Sequence, residues 1–91
     1  MNIAHLRLMV DQIARNFAVQ GHDKAVAATA DHLVRFWDPR MKAAIVADAK
    51  GSGRALLSPI ARGAIDLLAR GVEPPPQTHA TEFATGGSDA G

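Results

Sequence analysis

Two short pairs constrain this chain more than anything else in it: Asp38-Pro39 and Ser58-Pro59. Each places an oxygen acceptor at a helix N-cap and a proline at the first helical position. The cap oxygen takes up amide hydrogens of the first turn, which have no carbonyl inside the helix. The proline costs nothing there, because its missing N–H would have been unpaired anyway. Gly51 and Gly71 stand where a left-handed residue would close each helix. Together these signals predict helices near 39–50 and 59–70, and an all-α protein.

The helical pattern extends upstream. Ile3, Leu6, Val10, Ile13 and Phe17 step by three and four, which puts them on one stripe at about 100° per residue. This predicts a helix from about Ile3 to Ala18, ended by Gly21. A second should run from about Asp23, as its N-cap, to Trp37, with Val26, Ala30, Leu33, Val34 and Trp37 as its buried stripe. The third is the weakest, since Met41, Ile45 and Val46 make no clean stripe. In the fourth, Ile60, Ala64, Leu67 and Leu68 face one way, and Arg62, Asp66 and Arg70 form a ladder of ion pairs at four-residue spacing. Between Gly51 and Ser58 a loop is expected, with Gly51-Ser52-Gly53 as its flexible part. After Gly71 the character changes. Pro74-Pro75-Pro76 favours an extended form, and residues 77–91 carry one large apolar side chain, Phe83, a possible anchor if the segment docks. The expected organisation is a helical domain over residues 1–71, a small bundle of about four short helices, followed by a flexible Pro/Gly-rich tail over residues 72–91.

Composition narrows the function. The 91 residues contain no cysteine, so no disulfide staples the fold and no thiolate holds zinc or an iron–sulfur cluster. Ten basic and nine acidic residues alternate without a block, which gives no basic stripe for phosphates. No apolar run is long enough to span a membrane, and no secretory signal opens the chain, so the expected compartment is the cytoplasm. His5, His22, His32 and His79 share no helix face at metal-ligand spacing. Ser52 and Ser58 lack a nucleophile elbow, and Ser58 already serves as an N-cap. Gly51-Ser52-Gly53-Arg54 lacks the lysine of a phosphate loop. No catalytic, cofactor or metal site is expected.

Some apolar residues do not fit the core. Leu8 lies about 180° from the first stripe, Met9 flanks it, and Phe36 lies about 100° from the centre of the second, beside Thr29 and His32. Either the third or fourth helix covers Phe36, or it belongs to a binding face. Trp37, the single tryptophan, falls on the stripe and reads as core. Arg35 and Arg40 flank the turn, either as solvated charges or as contacts for a partner's carboxylates.

The segment Asp31-His32-Leu33-Val34-Arg35-Phe36-Trp37-Asp38-Pro39-Arg40-Met41 resembles the signature of the delta subunit of NAD-dependent, molybdenum-containing formate dehydrogenases. The stretch Leu6–Phe17 and the block Leu57-Ser58-Pro59 fit the same family, so the resemblance covers about residues 3–70. It implies a small, non-catalytic subunit of a cytoplasmic complex that oxidises formate and reduces NAD. An alpha subunit would carry bis-molybdopterin guanine dinucleotide and iron–sulfur clusters. Beta and gamma subunits would carry FMN and further clusters. The delta subunit would hold no redox centre and would dock on the alpha subunit, supporting assembly, stability or cofactor loading. On this reading Asp38-Pro39 fixes the turn, Trp37 packs under it, Ser58-Pro59 starts the last helix, and Arg35, Phe36, Arg40, Met41 and Leu8 are the contact candidates. The rival reading is a small helix-turn-helix regulator with Arg40, Lys42 and Lys50 on its recognition helix.

Overall fold

The computed structural model describes residues 2–71. They form four α-helices: α1 (Ile3–Phe17), α2 (His22–Phe36), α3 (Pro39–Ala49) and α4 (Pro59–Ala69). Single 3₁₀ segments lie at Ala18–Gln20 and Ser52–Leu56, and there is no strand among the described residues. The expected tail, with Pro74–Pro76 and Phe83, lies outside them.

The helix starts follow from local chemistry. The Asp38 carboxylate accepts the Met41 N–H at 2.8 Å, and Pro39 occupies the first position of α3. The Ser58 hydroxyl accepts the Ala61 N–H at 3.3 Å ahead of Pro59. Asn2 caps α1 by accepting from the Ala4 and His5 N–H groups at 2.9 and 3.3 Å. The start of α2 differs from the expectation. Its N-cap is Gly21, not Asp23, because the chain reverses through a 3₁₀ turn and Gly21 takes φ +96°, a region closed to most side chains. Asp23 sits instead in the first turn, where its charge favours the positive end of the helix dipole.

The helix ends also split. Gly71 has φ +68° and donates to the Leu68 carbonyl at 3.1 Å, as a left-handed cap should. Gly51 does not: its φ is −118°. The Lys50 N–H is shared between the Val46 and Ala47 carbonyls, each at 3.2 Å, and a turn at Lys50-Gly51 leads from α3 into the 3₁₀ segment. The expected loop is therefore structured as a 3₁₀ segment, and its Gly53 is buried. A Cβ there would fall on the Asp48 carboxylate, so the close approach itself demands glycine.

Asp48 joins three elements. Arg7 on α1 clasps it with two hydrogen bonds of 2.8 Å, from Nε and from an Nη, while Gly53 packs against it from the 3₁₀ segment. Those bonds hold the Asp48 carboxyl below its ordinary value, although burial opposes the shift. A second fork joins Arg54 to Asp66 at 2.8 and 2.9 Å and lowers the Asp66 carboxyl in the same way. This corrects the expected ladder on α4: the hydrogen bonds to Asp66 come from Arg54 of the 3₁₀ segment, and Arg70 acts on it only through its charge. Asp11 on α1 accepts the Ser58 N–H at 3.1 Å and so ties α1 to the start of α4.

The buried centre is built from Leu6, Val10, Leu33, Trp37, Ile45, Leu57 and Ile65, with many alanines around them. Phe17, Val26, Val34, Ile60 and Leu67, expected on the buried stripes, are only half-buried. For those on α2 and α4 the reason lies in the pairing of these two helices, the most extensive in the fold. Ala25, Ala28, Thr29 and Ala30 on one side and Ala61 and Ala64 on the other are buried. These small side chains let the two helices approach closely and displace the larger residues to the flanks. Gly63 completes the fit: a Cβ there would meet the Val26 methyl carbons at 3.0 and 3.2 Å. Thr29 is wholly buried and its hydroxyl has no hydrogen-bond partner.

Three outcomes follow. Gly63→Leu should lose about 1–3 kcal/mol of stability through overpacking, read as a lower midpoint in thermal unfolding. Thr29→Val should gain about 1 kcal/mol by removing a buried unpaired hydroxyl while keeping its shape. A change in the opposite direction for either would mean that α2 and α4 are not held at this spacing. For acid unfolding the sign is set by Asp48. Its folded value lies below its unfolded one, so its stabilising effect is complete above the ordinary carboxylate range and is lost as pH falls through the depressed folded value. Asp48→Asn should lower the melting temperature at neutral pH and flatten its decline in acid, measured by circular dichroism across pH.

Candidate partner-docking site

The corner between α2 and α3 is set by chain geometry. The α region is disfavoured for a residue before proline, so Asp38 is extended (φ −73°, ψ 165°). Trp37 is extended as well (φ −92°, ψ 138°), while its N–H still donates to the Leu33 carbonyl at 3.1 Å. α2 therefore stops at Phe36. Adjacent aromatics take opposite fates: Trp37 is 5% exposed and packs in the core, and Phe36 is 71% exposed. Neither α3 nor α4 covers Phe36, so the reading that placed it under one of those helices does not hold.

Phe36 stands as a ridge. Its ring lies against His32, with centroids 4.7 Å apart and planes tilted by 44°. On one side is a recess of about 390 Å³ lined by Met9, Gln12, Ile13 and Asn16 of α1, by His32, Phe36 and Trp37, and by Met41 of α3. On the other, a recess of about 320 Å³ is lined by Phe17, Gln20, Ala28, Asp31 and again His32 and Phe36. The surface offers apolar area in a shaped recess, with a few amide and imidazole groups beside it. Among the described residues no group of three or more His, Asp or Glu side chains comes together to hold a metal ion.

The five contact candidates do not form one patch. Phe36 and Met41 line the larger recess, Met41 half-buried against the core. Arg35 is exposed, and its Nε binds both Asp31 carboxylate oxygens, at 2.9 and 3.0 Å. Arg40 is exposed beside the turn. Leu8 is 53% exposed but lines neither recess. Ile13 was expected in the core and Met9 at its margin. Both are half-buried on the recess wall, with Gln12 and Asn16 beside them. Their three- and four-residue spacing was visible in the sequence, but the crossing of α1 over the end of α2 was not. Trp37 is buried, Asp38 and Ser58 cap α3 and α4, and Pro39 and Pro59 occupy the first positions of those helices. α3, the recognition helix of the rival reading, buries Ile45 and Ala49, and its Lys42 reaches the Val34 carbonyl at 3.5 Å.

Residues 5–65 match the family model described as NADH-dependant formate dehydrogenase delta subunit FdsD. No curated protein and no solved structure matches the chain. The matched span reaches from α1 into α4 and includes the whole corner with its ridge. No helix among the described residues is long and apolar enough to cross a membrane. The chain thus belongs to the FdsD family, the delta subunits of the multi-subunit NADH-dependent formate dehydrogenase.

Proposed function

We propose that this chain is a non-catalytic accessory subunit that docks through the Phe36 ridge on the molybdenum-containing alpha subunit. Docking supports the assembly, stability or cofactor loading of the complex. The observation that carries this reading is the exposure of Phe36 between two recesses, on a domain whose other aromatic at the corner is buried. Covering a phenyl side chain of this kind is worth about 1.5–3 kcal/mol, enough to make it the centre of an interface with Met9, Ile13 and Met41 around it. Arg40 and Arg35 supply charge at the rim, where they favour register and association rate more than affinity.

On this reading bis-molybdopterin guanine dinucleotide, the iron–sulfur clusters and FMN reside in the alpha, beta and gamma subunits, and the delta chain holds none of them. Its cysteine-free sequence supports that division, since iron–sulfur clusters are held by thiolates. The whole assembly works in the cytoplasm.

Co-purification with a tagged alpha subunit tests the docking. Phe36→Ala should reduce recovery of the delta chain by about tenfold or more, the scale of an interface hot spot. Formate-dependent NAD reduction in the recovered material should fall in parallel, while the free chain melts at its native temperature. Arg40→Ala should have a smaller, salt-sensitive effect, and Leu8→Ala almost none. Native recovery for Phe36→Ala would remove the ridge as the docking site.

A further inference from the structure

His32 lines the recesses on both sides of Phe36. Its ring lies 4.7 Å from the phenyl ring, one helical turn later on α2. Phe36 is the last residue of that helix and is exposed, so the imidazole flanks a ring that neither α3 nor α4 covers. Few charges face His32. Into the recesses α1 sends apolar side chains and the amides of Gln12 and Asn16, the 3₁₀ segment sends Gln20, and α3 sends Met41. None of these ionises. The one acid among the lining residues is Asp31 on α2 itself, and Arg35 Nε already binds both of its oxygens, at 2.9 and 3.0 Å. Arg35, three residues beyond His32, is a like charge for an imidazolium.

We propose that His32 is the positioning residue of the docking ridge, holding the Phe36 ring between its two recesses, and that the complex forms with His32 as the neutral imidazole. The proposal rests on docking through the ridge and adds a pH dependence to it. A partner that covers Phe36 from either recess also covers His32, because His32 lines both. Covering it strips water from the imidazole. The neutral ring is a modest polar group with one donor and one acceptor. The imidazolium would be a buried charge, and the acid nearest to it is already taken by Arg35, so its burial is the costlier one. Attraction between an imidazolium and the phenyl face does not offset this. The two rings lie together in the free chain, so that contact is common to the free and docked states and cancels between them. Docking therefore releases a proton wherever free His32 carries one, and affinity falls as pH drops through the imidazole range.

The test titrates the full-length chain against a tagged alpha subunit at about pH 8 and about pH 5.5, on either side of the imidazole range. The native chain should bind about tenfold more weakly at the lower pH. His32→Phe keeps a ring against Phe36 but does not titrate. It should bind like the native chain at the higher pH and keep that affinity at the lower one. His32→Ala removes the flank and should bind weakly at both, while melting at the native temperature. The proposal is overturned by the same pH profile for the native chain and His32→Phe, by tighter native binding in acid, or by native affinity in His32→Ala. Phe36→Ala separates the two failures. If it binds like the native chain, the ridge is not the docking site and this proposal falls with it. If it binds weakly while the native chain and His32→Phe share one pH profile, docking through the ridge stands and only the role of His32 is lost.

Discussion

α2 and α4 lie against each other across residues that are almost all small, and this close approach dictates where everything else goes. Ala25, Ala28, Ala30, Ala61 and Ala64 are all almost wholly buried. A domain of this size has little volume to fill, and dense packing of small residues is one way to exclude water from it. The consequence is geometric. With α2 drawn onto α4, Val26 fits over Gly63, and the face of α2 that carries Phe36 turns away from both neighbours. The same seam that stabilises the fold leaves the aromatic outside.

α3 and the 3₁₀ segment are held differently. α3 buries only Ile45 and Ala49 fully, with Met41, Ala44 and Val46 half-buried against the core, so its apolar contact leaves room for a further restraint. The Arg7–Asp48 fork supplies that restraint, and the glycine at position 53 lets the chain close over the carboxylate. Two-point arginine–carboxylate bonds fix direction as well as distance. α1 therefore sets the position of α3, and α1 and α3 together form two walls of the larger recess beside Phe36.

What could be read from the sequence was local. Asp38-Pro39 and Ser58-Pro59 act within one helical turn, so their pattern needs no knowledge of the fold. The start of α2 escaped because Gly21 reaches its conformation through the preceding 3₁₀ turn, and the pattern favoured the more conventional cap, Asp23. The partner of Asp66 escaped because Arg54 lies in a segment without helical periodicity, while Arg62 and Arg70 stood at the expected spacing. The candidate site divides in the same way. Trp37 was legible as core from its place on the stripe. Met9 and Ile13 became recess walls only through the crossing of α1 and α2, which no local pattern encodes.

The opposite fates of Phe36 and Trp37 explain how a core residue and an exposed ridge come from neighbouring positions. Had α2 continued one more turn, Trp37 would have advanced by about 100° from Phe36 on the same cylinder. The proline two residues on prevents this, because it holds Asp38 extended and the helix ends before it. The extended Trp37 then turns its indole under the joint, filling space between α1, α2 and α3, and Phe36 remains as the last helical residue with solvent on its outer side. A single Asp-Pro step thus caps one helix, stops another and exposes one aromatic at a fixed angle. That economy accounts for the density of identifying residues between Asp31 and Met41: local capping, core packing and surface presentation all act through the same few positions, so few substitutions there leave all three intact.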